Sequence, residues 1–138
     1  MLTKRDLETL AQIRLDDSIL LFRANRTSSA YYLCGYAVEL SLKVCIAGLI
    51  QANVIPDKAF INAIYTHRFE SLLAAAGLLP QFQTDTRTDS VFAENWAVAS
   101  KWTEESRYKM WDPRSAASMV NAVHEPAHGV FQWVKKYW

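Results

Sequence analysis

An all-α fold, an antiparallel up-and-down bundle of four long helices with two short extra ones, is what the 138-residue sequence predicts. Three observations predict it. The segment from Thr27 to Ile50 is almost continuously apolar, and the apolar residues elsewhere recur at helical spacing. With 51% hydrophobic residues but only 4 Gly and 4 Pro, the chain is neither disordered nor rich in strands and turns. Its length suits a single domain, residues 1–138, large enough to bury a real core.

The first helix starts behind Thr3, a weak N-cap reinforced by Asp6, and its apolar positions Leu7, Leu10, Ala11, Leu21 and Phe22 carry it to about Arg23. The link Asn25-Arg26-Thr27-Ser28 is short and rich in caps, so the central helix must fold back against the first as a hairpin. After Ile50 the chain turns through Asn53, and Pro56 suits the first position of a short helix reaching Tyr65. A second short helix, from about Arg68 to Ala76, is stopped by Gly77 and by Pro80 beyond it. The polar stretch Gln81 to Asp89 lacks periodicity and reads as a loop. Phe92, Trp96 and Ala99 mark a third long helix from Ser90 to about Thr103. Asp112-Pro113 then opens the last one, whose stripe runs through Ala116, Met119, Val120, Val123, Ala127, Val130, Phe131 and Val134.

The central segment carries one acid and one base, Glu39 and Lys43, a helical turn apart. Ionised groups in an apolar helix need partners, and mid-membrane each would cost roughly 2.5 to 3.5 kcal/mol, so the segment is expected at the centre of a helical domain and not in a membrane. MLTKRDLETL places charges where a signal peptide would be apolar, and a cytoplasmic location is expected. A net charge of +1 gives no broad field for nucleic acid, so any RNA contact must be local. Cys34 and Cys45 lie on one helix about 16 Å apart, too far to bridge, and read as buried reduced thiols.

Motifs that carry chemistry are few. His124-Glu125-Pro126-Ala127-His128 fits HExxH, the zinc-hydrolase pattern in which two histidines a turn apart hold the metal and the glutamate activates water. Pro126 kinks that helix, and no Asp, Glu, His or Cys follows His128 as a third ligand, so His124 and His128 are weak metal candidates and no metal site is expected. There is no Gly-rich phosphate loop, Cys-x-x-Cys or G-x-S-x-G elbow, and no cofactor is expected. Ser28 and Ser29 read as caps.

SSAYYLCGYAVELSLKVCIAGL, followed in order by YTHRFESLLAAAGL and WTEESRY, resembles the HEPN-domain family, helical proteins that in bacteria often accompany a minimal nucleotidyltransferase. The likeness extends from about Thr27 to Trp138. It implies an HEPN-like bundle, frequent homodimers, and a role in RNA-directed toxicity, defence or assistance to the nucleotidyltransferase. Many such toxins are metal-independent ribonucleases using an Arg and a His separated by four to six residues on the last long helix. Here the corresponding positions before His67, His124 and His128 are Phe60 to Asn62, Ala117 to Met119 and Asn121 to Val123, none of them Arg. The catalytic residues are therefore unassigned, and a diverged ribonuclease is the alternative to an interaction domain that binds nucleotide or RNA.

Glu39 has two readings. In one it is neutralised by Lys43, by Arg107 across the bundle, or by both, as a structural ion cluster. In the other, Arg26, His67, Arg68 and Arg107 line a groove for a phosphate, with Tyr31 or Tyr32 stacking on a base. The tail Phe131 to Trp138 holds four aromatics, which either cap the chain's own core or form a surface for a second copy or a nucleotidyltransferase.

Overall fold

The computed structural model describes residues 1–138 as eight α-helices and one 3₁₀ turn, with no strand. Helix α1 (Lys4–Arg23) opens with a full capping box: Thr3 Oγ1 accepts from the Asp6 N–H at 3.1 Å, and the Asp6 carboxylate accepts from the Thr3 N–H at 2.8 Å. Asn25, at φ 61°, turns the chain into α2 (Thr27–Leu49). These two lie along each other over more of their length than any other pair.

Helix α2 is the centre of the molecule, touching α1 and four of the later elements. By length and apolarity it meets the requirement for a membrane span, yet it is mostly buried within the protein. Val38, Leu42, Val44 and Ile46 are fully enclosed in one continuous apolar core. Both cysteines are free and buried there, burial pushing the Cys34 thiol up to about 12 and Cys45 up to about 11.

Helix α3 (Lys58–Ile64) is capped by Asp57, whose carboxylate accepts from the Phe60 N–H at 2.7 Å. Pro56 therefore stands before the cap and not at the first helical position, because the Asp57 carboxylate satisfies a free N–H that proline cannot. Helix α4 (Phe69–Ala75) ends at Gly77, φ 70°, where Leu78 N–H reaches Leu73 O at 3.1 Å and Gly77 N–H reaches Ala74 O at 3.0 Å. Paired closing bonds of this kind need the left-handed conformation that glycine adopts freely.

The polar stretch expected as a loop is instead helix α5 (Leu79–Thr88). A single aromatic anchors it, Phe82 packing against Trp96 at 4.7 Å and against Phe92 and Trp133 at 6.2 and 6.1 Å. Asp85 accepts from the Trp133 indole at 2.8 Å, and Thr84, Thr86 and Thr88 bond back to carbonyls four residues earlier. One aromatic in a polar stretch produces no periodicity, yet its packing and these bonds hold the helix.

Helix α6 (Ser90–Ala99), capped by Asp89, ends four residues earlier than expected. The chain leaves it so that Trp102 can enter the core and a 3₁₀ turn (Glu104–Tyr108) can form behind Thr103. Trp102 donates its indole N–H to Tyr32 O at 3.1 Å and lies flat over Gly35, where any Cβ would overlap the ring. Asp112 caps α7 (Pro113–His124) through the Ser115 N–H at 2.8 Å.

The last stripe is two helices, α7 and α8 (Val130–Lys135), and not one kinked helix. Pro126 cannot supply the next helical N–H, the Glu125 carboxylate accepts from the His128 N–H, and Gly129 packs against the Glu125 backbone too closely for a side chain. Both pieces still face the same core: Met119, Val123, Val130, Phe131 and Val134 are fully enclosed, and Ala127 alone of the predicted stripe is exposed.

Candidate functional site

The carboxylate of Glu39, 2% exposed, is met from two sides. Lys43, one turn on, donates its ammonium to Oε1 at 2.8 Å. His67 brings Nδ1 to 3.0 Å from Oε1 and 2.9 Å from Oε2. A carboxylate accepts only, so Nδ1 carries a proton and Nε2 is left free. The His67 side chain remains 45% exposed.

Its placement follows from the α3–α4 link. Phe69, 2% exposed, stacks on Trp102 at 5.5 Å and fixes the start of α4 against the core. Thr66 Oγ1 accepts from the Arg68 N–H at 3.2 Å, bending the chain just before Phe69, and His67 in that bend reaches Glu39 of α2. His67 and Arg68 thus share the wall of a recess of about 310 Å³ that also meets Glu70, Ser100, Thr103 and Glu104. Two acids and two basic side chains line it, so the recess has a mixed polarity and no strong preference for an anion.

Of the residues expected around Glu39, Lys43 is there and Arg107 is not. Arg107 forms no ion pair; it lies on the 3₁₀ turn with its guanidinium 5.0 Å from the centre of the Tyr108 ring. The turn buries Ser106 and points its neighbour outward, and His67 takes the place that a cross-bundle arginine would have held. Of the residues expected to line a groove, His67 and Arg68 share one recess with Trp102, and Tyr32 stacks against that same Trp102. Arg26 is exposed before α2, and Tyr32 is half-buried with its ring 6.0 Å from Trp102. Tyr31 is 5% exposed and stacked on Trp111 at 3.7 Å, the planes 9° apart.

The HExxH residues separate. His124 ends α7 in solvent, whereas His128, past the Pro126 break, places Nδ1 2.7 Å from Asp89 Oδ2. The Glu125 carboxylate is occupied by the His128 backbone N–H. No three His, Cys, Asp or Glu side chains converge closely enough to hold a metal ion, because the two histidines never share a helical face. Asp89 raises the pKa of His128, while the Phe92 N–H, followed by His128, lowers that of Asp89.

The tail aromatics belong to the chain's own core. Phe131 and Trp133 are buried, Tyr137 packs edge-on to Trp133 at 5.1 Å, and Trp138 donates to Ser41 Oγ at 2.9 Å. Exposed apolar residues gather elsewhere, at the end of α2 and along α3: Leu49, Ile50, Val54, Ile55, Ile61 and Tyr65. Several of them border a groove of about 410 Å³. Neither this surface nor the Asp89–His128 pair had been singled out in the sequence. The spacing of apolar residues between Leu49 and Tyr65 was the available signal, obscured by the turn at Asn53.

Compared with protein-family models, with curated proteins and with solved structures, the chain finds no match.

Proposed function

We propose that the chain is an HEPN-like helical interaction domain of the cytoplasm, pairing with a second copy of itself and serving as accessory or toxin-like partner of a nucleotidyltransferase. In this reading α1, α2, α6 and the α7–α8 pair are the four members of an up-and-down bundle, and α3 to α5 are the insertions. Supporting the kinship is the resemblance of the α2 sequence, with Glu39 buried in the apolar core and paired there by the partly exposed Lys43.

The observation that carries the interaction role is the apolar surface where α2 meets α3. Contiguous apolar patches of this kind on a small protein mark places where another protein sits. Ile55, 93% exposed, projects from the rim of the groove it helps to line, so knob and hole lie side by side. Two copies related by a two-fold axis could each insert Ile55 into the other. Asp57 is the one charged residue of the groove, and its carboxylate is engaged as the α3 cap.

Light scattering at tens of micromolar should give a dimer, and Ile55→Asp with Tyr65→Asp a monomer of unchanged helicity. A monomeric parent protein overturns self-pairing. For the accessory role, a small nucleotidyltransferase frame is expected beside the gene, and the co-expressed pair should elute as one complex; separate elution overturns it.

A diverged metal-independent ribonuclease is the second reading, favoured by one specific arrangement. Glu39 orients the His67 ring, the His67 side chain is 45% exposed, and Arg68 follows directly in the same recess, so a proton-transfer group and a cation stand together. Degradation of total RNA in EDTA, lost on His67→Ala but kept on substitution of His124 or His128, supports it. Undegraded RNA with the parent protein removes it.

A further inference from the structure

Between two anchors near the 3₁₀ turn the chain carries a short basic loop outward. At one anchor Ser106 is buried, 3% exposed, and its carbonyl accepts from the Trp111 indole at 3.2 Å. At the other, the Trp111 N–H donates to Ser28 Oγ at 2.8 Å, its carbonyl accepts from Thr27 Oγ1 at 2.6 Å, and Tyr31 stacks on its ring at 3.7 Å. The residues between them, Arg107, Tyr108, Lys109 and Met110, are all exposed, Met110 by 97% and Tyr108 by 73%. Two large apolar side chains held in water on so firm a base gain free energy only by entering another apolar phase.

The charge around the loop is one-sided. Arg107 and Lys109 belong to it, the exposed Arg26 stands one residue before Thr27, and Lys101 and Arg114 line a recess with Trp111. None of these cations takes part in the chain's ion pairs. Of the acids nearest in sequence, Asp112 is committed on both oxygens to Ser115, at 2.8 and 2.9 Å, and Glu104 lines the His67 recess, which leaves Glu105. A net charge of only +1 thus conceals a cationic face.

The aromatic rings decide the class of partner. Single-stranded nucleic acid stacks its bases on free rings. Here Arg107 lies 5.0 Å from the centre of the Tyr108 ring, and Trp111 carries Tyr31 on one face and the Lys109 ammonium 5.9 Å from its centre. A folded acidic protein supplies the charge but needs a pit to receive Met110. A projecting methionine flanked by cations suits a surface that is anionic outside and apolar just beneath, which is a phospholipid bilayer.

We propose that the Arg107–Met110 loop docks the domain peripherally on an anionic membrane, Met110 and Tyr108 entering the interface while the surrounding cations meet lipid phosphates. The face is complete within one chain and shares no residue with the apolar groove of α2 and α3 or with the His67 recess.

Flotation of the full chain with vesicles tests it, comparing phosphatidylcholine alone with phosphatidylcholine mixed with phosphatidylglycerol. Binding should require the anionic lipid and weaken steeply as salt screens the charges. Met110→Asp and Lys109→Glu should each lower the affinity by about tenfold or more, with an unchanged thermal midpoint because both side chains are exposed. Ile55→Asp should still bind. Failure to float with the anionic vesicles, or equal binding to phosphatidylcholine alone, overturns the proposal. So does a loss with Ile55→Asp as complete as with Met110→Asp, which would move the contact to the α2–α3 surface. A short RNA that binds more tightly than the vesicles, and loses that binding in the Met110 and Lys109 variants, would make this a nucleic-acid face and overturns it as well.

Discussion

Two imidazole–carboxylate pairs stand at different depths in this molecule. In both, the histidine side chain is a little under half exposed, 45% for His67 and 43% for His128, and in both Nδ1 meets a carboxylate oxygen within 3 Å. The acids differ: Glu39 is 2% exposed, whereas the Asp89 side chain is 32% exposed. A buried carboxylate cannot turn to water when its partner leaves, but an exposed one can. The Glu39 carboxylate must therefore keep a partner within the fold, whereas the second pair is a contact that solvent can replace.

The sharpest way to break this contrast is Glu39→Gln. It leaves a neutral amide between Lys43 and His67, with its N–H₂ group directed at donors. Both partners are partly exposed and can regain water, which moderates the loss to about 2 kcal/mol. Denaturant unfolding at pH 7 measures it, and a change within about 0.5 kcal/mol, the range of ordinary surface substitutions, would falsify the buried-requirement reading. His67→Ala should cost less, about 1 kcal/mol, since Lys43 continues to hold the carboxylate.

For the exposed pair the effect depends on pH. Asp89 raises the folded-state pKa of His128 above its ordinary 6.5, so the contact's stabilisation is fully present below 6.5 and is lost as pH rises through the higher folded value. Asp89, lowered below its ordinary 3.8, contributes above that value and loses its contribution as pH falls through the lower one. His128→Ala should therefore lower the thermal midpoint at pH 5.5 to 6 and leave it nearly unchanged at pH 9. A deficit that is equal at both pH values would show that His128 acts through packing and not through its charge.

What the sequence made legible was local. The apolar run of α2, the caps at Thr3 and Asp112, and the left-handed stop at Gly77 are all written within a few residues of where they act. Lys43 as a partner of Glu39 could be read from its spacing alone. His67 could not, because its position 28 residues further on depends on where α4 docks, and that is set by Phe69 stacking on Trp102. Helix α5 is illegible for the opposite reason: its support comes from Phe82 and from side-chain bonds to the backbone, which leave no periodic trace. The α7–α8 stripe was legible as a core face but not as two helices, since the turn at Pro126 returns the chain to the same core with the pattern almost intact.

Arg107 gives the smallest expected effect and bears directly on which cation answers the buried acid. As Glu39's partner across the bundle it would have been indispensable, and its removal would have exposed the same deficit as Glu39→Gln. Its guanidinium instead lies over Tyr108, outside every ion pair, on a turn whose inward residue is Ser106. Arg107→Ala should consequently unfold at the same denaturant concentration as the parent protein, and Arg107→Ala combined with Glu39→Gln should be no less stable than Glu39→Gln alone. Residues without shared contacts add in this way, whereas coupled ones do not. A measurable loss from Arg107→Ala that vanishes in the Glu39→Gln background would return the arginine to the cluster and displace His67 as the acid's principal partner.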